Sequence, residues 1–172
     1  MITCERLKGA YSEGEALAIY NEVKQGDDFL GFVKQFMHNE DYQVARNALW
    51  GLTKATNKEL SQLQIILDDL IDLAMQTGNS SVRRLSLNLI EKLKMEEEDL
   101  RTDFLDFCLE HMSSIEEYPA IQSLCMKLAF RICKFYPELM DELKRTIEGM
   151  EIDYYKPAVK SVRSRILSGK MK

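Results

Sequence analysis

Four methionines, Met37, Met75, Met112 and Met150, recur along the chain at steps of 38, 37 and 38, each closing an apolar phrase: DDFLGFVKQFM, LDDLIDLAM, FLDFCLEHM and DELKRTIEGM. A second marker keeps the same rhythm. Val44, Ala48, Leu52 and Ala55 return one such step later as Val82, Ser86, Ile90 and Leu93, and a further step on as Ile121, Cys125, Ala129 and Ile132. A partial fourth copy has Val159, Val162 and Ile166, each one step beyond Ile121, Leu124 and Leu128. Two independent markers on one period define an internal repeat, and periods of this length belong to stacked supersecondary units.

Within each repeat the apolar spacing is helical. Leu60, Leu63, Leu67, Leu70 and Ala74 follow the i, i+3, i+4 rule of a helix with one buried face. Two antiparallel helices per repeat follow. The first helices are expected near 41–55, 80–95, 119–135 and 157–168, and the second near 27–38, 58–77, 98–112 and 137–149. One more first helix is expected near 13–25. Ser12 with Glu15, Thr56 with Glu59, and Ser114 with Glu117 have the spacing of capping boxes, which satisfy free amides at helix starts. Pro119, Pro137 and Pro157 fall at expected first helical positions, where the missing N–H costs nothing. Gly26, Gly78 and Gly149 follow expected helix ends. Ala48, Ser86 and Cys125 are the small residues that let neighbouring helices approach to about 8–10 Å. Arg163 stands in the fourth copy's small position, as suits a terminal helix with a polar outer face. The expected fold is all-α, a short right-handed α-solenoid of about four two-helix repeats. It forms a single domain over 1–172, with units near 13–38, 41–77, 80–112 and 119–150 and a terminal helix at 157–168.

The bulk numbers agree with this and exclude other classes. A chain of 172 residues with 45% apolar side chains can bury a core without disulfides or metal. Only 8 glycines and 3 prolines disfavour a turn-rich β architecture. Cys4, Cys108, Cys125 and Cys133 show no CxxC spacing and are expected as free thiols, three of them within apolar helical stretches. No leader segment opens the sequence and no apolar run is long enough to span a membrane, so the expected location is the cytoplasm. Net charge is −5, but 156–172 holds six of the 23 basic residues and no acid, leaving 17 against 28 acidic, a balance of −11. A body that acidic is poorly suited to a phosphate backbone, which needs cationic neutralisation.

Val82, Arg83, Ser86 and Ile90 form the pattern Val-Arg-x-x-small-x-x-x-aliphatic, which resembles the first helix of HEAT repeats. With the period and the two-helix unit, the resemblance to HEAT and armadillo-like repeats covers residues 13 to 168. The arginine is replaced by Ala45 in the first copy and Gln122 in the third. The resemblance implies a scaffold that binds another protein on a concave face lined by the second helices. Tetratricopeptide and other α-repeats are the alternative subclasses.

Sequence motifs for chemistry are absent: there is no HExxH, Walker loop, GxGxxG or GxSxG. His38 and His111 are expected as surface or capping residues, the run EEED at 96–99 as a solvated cap for the following helix, and Tyr154 and Tyr155 as a loop packing against the last helix. The segment GNSSVRR keeps two serines of the fumarase-type lyase loop but lacks its Met, Pro, Lys and Asn. HEAT-like DNA glycosylases of the alkylation-repair type are the alternative to a protein-binding scaffold, with Trp50, Arg46 and Arg84 as the beginning of a cleft. No metal and no cofactor are expected. At the repeat spacing, Asp72, Glu110 and Glu148 occupy one position of the second helices, and Asp68 and Asp106 another one turn earlier. These carboxylates and Trp50, which has polar counterparts Asn88 and Lys127, are the candidate partner-binding residues. Lys34 breaks the acidic column one repeat earlier. An acidic face of this kind favours a basic segment of a protein partner and disfavours nucleic acid.

Overall fold

The computed structural model describes residues 1–172, and its α-helices and short 3₁₀ turns leave no strand. The chain divides into two compact units, residues 1–94 and 95–172. The first unit contains α1 (Cys4–Lys8), α2 (Glu13–Gly26), α3 (Phe29–Phe36), α4 (Tyr42–Leu52), α5 (Asn57–Leu60), α6 (Leu67–Gln76) and α7 (Ser80–Lys92). The second contains α8 (Thr102–Ser113), α9 (Pro119–Cys133), α10 (Pro137–Glu148) and α11 (Pro157–Leu167).

In the first unit α4 is the central element, packing against α1, α2, α3 and α7. Its sequence makes this possible, because Val44, Ala45, Asn47, Ala48, Leu49, Gly51 and Leu52 are all buried on one short helix. Ala48 has no exposed surface, and a Cβ added at Gly51 would lie 3.0 Å from Ile19 Cγ2 of α2. Small residues thus set how closely α2 and α4 approach. In the second unit α9 has the same role, packing against α8, α10 and α11. Ser86 on α7 and Cys125 on α9 are also fully buried, and the Ser86 hydroxyl is satisfied by donating 2.6 Å to the Val82 carbonyl.

Local signals decide most boundaries. Both Ser12 with Glu15 and Thr56 with Glu59 close capping boxes, and Pro119, Pro137 and Pro157 each occupy the first helical turn. Several expectations are corrected. Ser114 and Glu117 form no capping box, because α9 starts later and Glu117 turns back to place Oε2 2.6 Å from His111 Nδ1. The EEED run does not cap α8. It forms its own 3₁₀ turn, Glu97–Asp99, in which the Asp99 carboxylate accepts from the Glu96 amide at 3.0 Å. The helix α2 includes Gly26 and ends at Asp27, whose φ of 47° is left-handed. Gln62 donates 2.9 Å to the Asp27 carboxylate, holding the residue in a conformation that Asp tolerates better than most side chains. Of the two loop tyrosines only Tyr155 is buried, donating its hydroxyl 2.6 Å to the Ser113 carbonyl, whereas Tyr154 is exposed.

The expected helix over 58–77 is broken into α5, a 3₁₀ turn at Ser61–Ile66, and α6. Side chains here bond both local backbone and backbone distant along the chain. Ser61 donates to the Lys58 carbonyl at 2.5 Å, Gln62 accepts from the Phe29 amide at 3.0 Å, and Gln64 donates to the Lys94 carbonyl at 2.7 Å. Such side-chain bonds compete with the helical ladder. Periodicity alone could not show the break, because the apolar residues keep their phase across it.

A recurrent contact joins each of four helices to a preceding helix's C-terminal end. On α7, Arg83 donates to the carbonyls of Ala74 at 2.8 Å and Thr77 at 2.5 Å, at the end of α6. On α9, Gln122 donates 2.5 Å to the Ser114 carbonyl at the end of α8. On α11, Arg163 donates 3.3 Å to the Ile147 carbonyl in the last turn of α10. On α4, buried Asn47 donates 2.6 Å to the Leu7 carbonyl of α1, a short helix that the repeat pattern did not reveal. Arg163 therefore turns inward to a helix end rather than covering an outer face.

Replacing fully buried Ala48 with Phe is expected to overpack the surroundings of α4 and to cost about 1–3 kcal/mol. Chemical denaturation of the variant measures this, and an unchanged unfolding midpoint would contradict the close packing assigned to Ala48.

Candidate functional site

The acidic residues of the second helices fall on both units. In the first unit α6 carries Asp68, exposed, and Asp72, half-buried, one helical turn apart and so on one face. In the second unit α8 carries Asp106 and Glu110 with the same spacing, both exposed, and Glu148 is exposed at the end of α10. On α8 the opposite face is apolar, with Phe104, Leu105, Cys108 and Met112 buried. The core-facing side of this helix and its acidic side are therefore distinct.

Trp50 lies elsewhere, on α4. Arg46 is one turn earlier on the same helix, and α7, which packs against α4, supplies Arg84. Together with Ala10, Tyr11 and Leu85 these side chains line a recess of about 290 Å³. The floor is apolar, since Ala10 and Leu85 are buried, and Tyr11 stands exposed at the rim. Sequence had suggested Trp50, Arg46 and Arg84 as neighbours, and the structure brings them together. Tyr11 carried no periodic signal and was not foreseen.

The polar contacts around the recess are specific. Trp50 lies near Glu13, whose carboxylate pairs with Lys54. The Trp50 ring is half-buried at the recess. Arg46 donates 3.1 Å to the Asn47 side chain, and its guanidinium lies 5.6 Å from the centre of the Tyr42 ring. Arg84 is half-buried and takes no carboxylate of the unit.

The other groups considered for chemistry are engaged structurally. His111 contacts Glu117 and lies 4.0 Å from the Phe107 ring, while His38 is exposed. Cys108, Cys125 and Cys133 are buried free thiols and Cys4 is exposed. Burial, reinforced by Cys125, pushes the Cys108 thiol well above its ordinary value, and burial raises Cys133 to about 11. Thiols held protonated in this way are poor nucleophiles and poor metal ligands. No three His, Cys, Asp or Glu side chains gather in a metal-binding geometry. No helix is long and apolar enough to cross a membrane.

Because Lys54 pairs with the ionised Glu13, with Trp50 nearby as a smaller influence, its carboxyl is held below the ordinary value of 4.5. Trp50 is the single tryptophan, so its emission reports this titration. In protein kept folded, as followed by circular dichroism, the emission change on acidification is expected at a midpoint below 4.5 and should vanish in Glu13→Gln. A midpoint at or above that value would contradict the contact.

The two units repeat one plan, in which a central helix with a small residue at its buried middle packs among neighbours and meets a preceding helix's open end. A family model described as a HEAT repeat domain matches residues 3–170. No curated protein and no solved structure matches the chain. The matched span takes in every helix of both units, and the chain belongs to the HEAT repeat domain family.

Proposed function

We propose that the chain is a non-catalytic interaction module that binds a protein partner, with the acidic faces of its second helices as the binding surface. HEAT repeats generally mediate protein–protein interaction. The reading rests on one observation: Asp68 and Asp72 on α6, and Asp106 and Glu110 on α8, put the same charge at the same repeat positions. A partner carrying a basic segment fits this pattern, because opposite charge speeds encounter and disfavours competing acidic polymers. An exposed carboxylate such as Asp68, Asp106 or Glu110 contributes little alone, so the effect depends on more than one.

A nucleic-acid partner is the second reading. It draws on the convergence of Arg46, Trp50 and Arg84 and on the basic segment from Lys156 to Lys172. Against it stands the acid excess over the rest of the chain.

Glu110→Lys is expected to weaken binding of a partner recovered by affinity capture, with a loss that shrinks as salt rises. Unchanged affinity at low salt would remove the acidic face from the interaction. Strong retardation of DNA or RNA by the whole chain, lost on truncation after Asp153, would favour the second reading.

A further inference from the structure

We propose that the recess between α4 and α7 is a second binding site, which takes an acidic side chain from a protein segment. An Asp or Glu carboxylate is held by Arg84 and Arg46, and an apolar neighbour in that segment lies against Trp50. The charge preference is opposite to that of the acidic helix faces, so this site goes beyond the proposed function and stands or falls separately.

The chemistry of the lining supports an anion with an apolar attachment. A half-buried guanidinium loses hydration without gaining a counter-charge, and Arg84 is in that position. The guanidinium fork matches a carboxylate through paired N–H donors, and Arg46 brings a second fork to the same recess. The Trp50 ring is already half-buried, so part of its rotational freedom is lost before a ligand packs on it. Leu85 and Ala10 supply an apolar floor, and Tyr11, at 75% exposure, offers a ring on the rim.

Size and surrounding charge select a peptide over a nucleic acid. At about 290 Å³ the recess lies at the small end of ligand sites and suits one or two side chains. Lys54, four residues after Trp50, is paired with Glu13, and the Glu15 carboxylate accepts from the Tyr11 amide at the rim. A continuous phosphate backbone leaving the two arginines would run past these carboxylates. A single carboxylate on a peptide would not.

The test uses the whole chain as bait for a phage-displayed library of random peptides, and the enriched peptides are then titrated while Trp50 emission is followed. Peptides with Asp or Glu beside an apolar residue are expected, and their binding should change the emission of this single tryptophan. Arg84→Gln should weaken them at least about tenfold, as loss of a charged hydrogen bond implies. Arg46→Gln should weaken them in the same direction, and both variants should keep the wild-type circular dichroism. Should Arg84→Gln fail to fold, Arg84→Lys serves in its place, since it keeps the charge but loses the fork and should still weaken binding. No enrichment, enrichment without acidic residues, or affinity indifferent to both arginines would overturn the proposal. So would single-stranded oligonucleotides that change Trp50 emission through Arg84 more strongly than any peptide, and that result would assign the recess to nucleic acid.

Discussion

A helix leaves its last carbonyl groups without partners, and burying that end requires a donor from elsewhere. In this chain a side-chain donor comes from a later helix, beside a local backbone amide at Leu7, Ser114 and Ile147 and without one at Ala74 and Thr77. Arg83 meets the end of α6, Gln122 the end of α8, Arg163 the end of α10 and Asn47 the end of α1. The contact fixes rotation as well as separation, because a side chain of given length reaches only from one face of its helix. With that rotation set, positions close to the donor around the helix, Ser86 three residues after Arg83 and Cys125 three after Gln122, are committed to the core. Ala48, Ser86 and Cys125 are fully buried there.

The surface follows from the same constraint. Helices α6 and α8 bury their apolar sides, and Asp68, Asp72, Asp106 and Glu110 are left on the faces that remain. The recess has a parallel origin. With α4 and α7 held side by side, Arg46, Trp50 and Arg84 meet at their shared edge, and Ala10 and Tyr11, ahead of α2, complete the lining. Neither surface needs a loop of special conformation, and a repeat fold can vary both while its interior stays fixed.

The helices and their period were legible in sequence because they rest on apolar spacing and on prolines at helix starts. The breaks were less so. The 3₁₀ turn at Ser61–Ile66 keeps the apolar phase, so only Gln62 and Gln64 mark it, and their partners, Phe29 and Lys94, are distant along the chain. Glu117 matched a capping box by spacing, yet its bond to His111 depends on the turn between α8 and α9. Gln122 looked like a departure from the HEAT arginine, but it does the arginine's work with a shorter amide. Of the recess, Arg46 and Trp50 share a helix face at visible spacing. Arg84 and Tyr11 join them only through tertiary packing, which no periodicity records.

The measurement closest to the centre of this account is the unfolding free energy of Arg83→Leu, taken from urea denaturation beside the native chain. The variant keeps an apolar stem on α7 but leaves the Ala74 and Thr77 carbonyls without their donor. A loss of about 1.5–3 kcal/mol with little change in the urea slope is the expected result. Stability within about 0.5 kcal/mol of the native chain, the range of ordinary surface substitutions, would show that the helix-end contacts do not hold the repeats together.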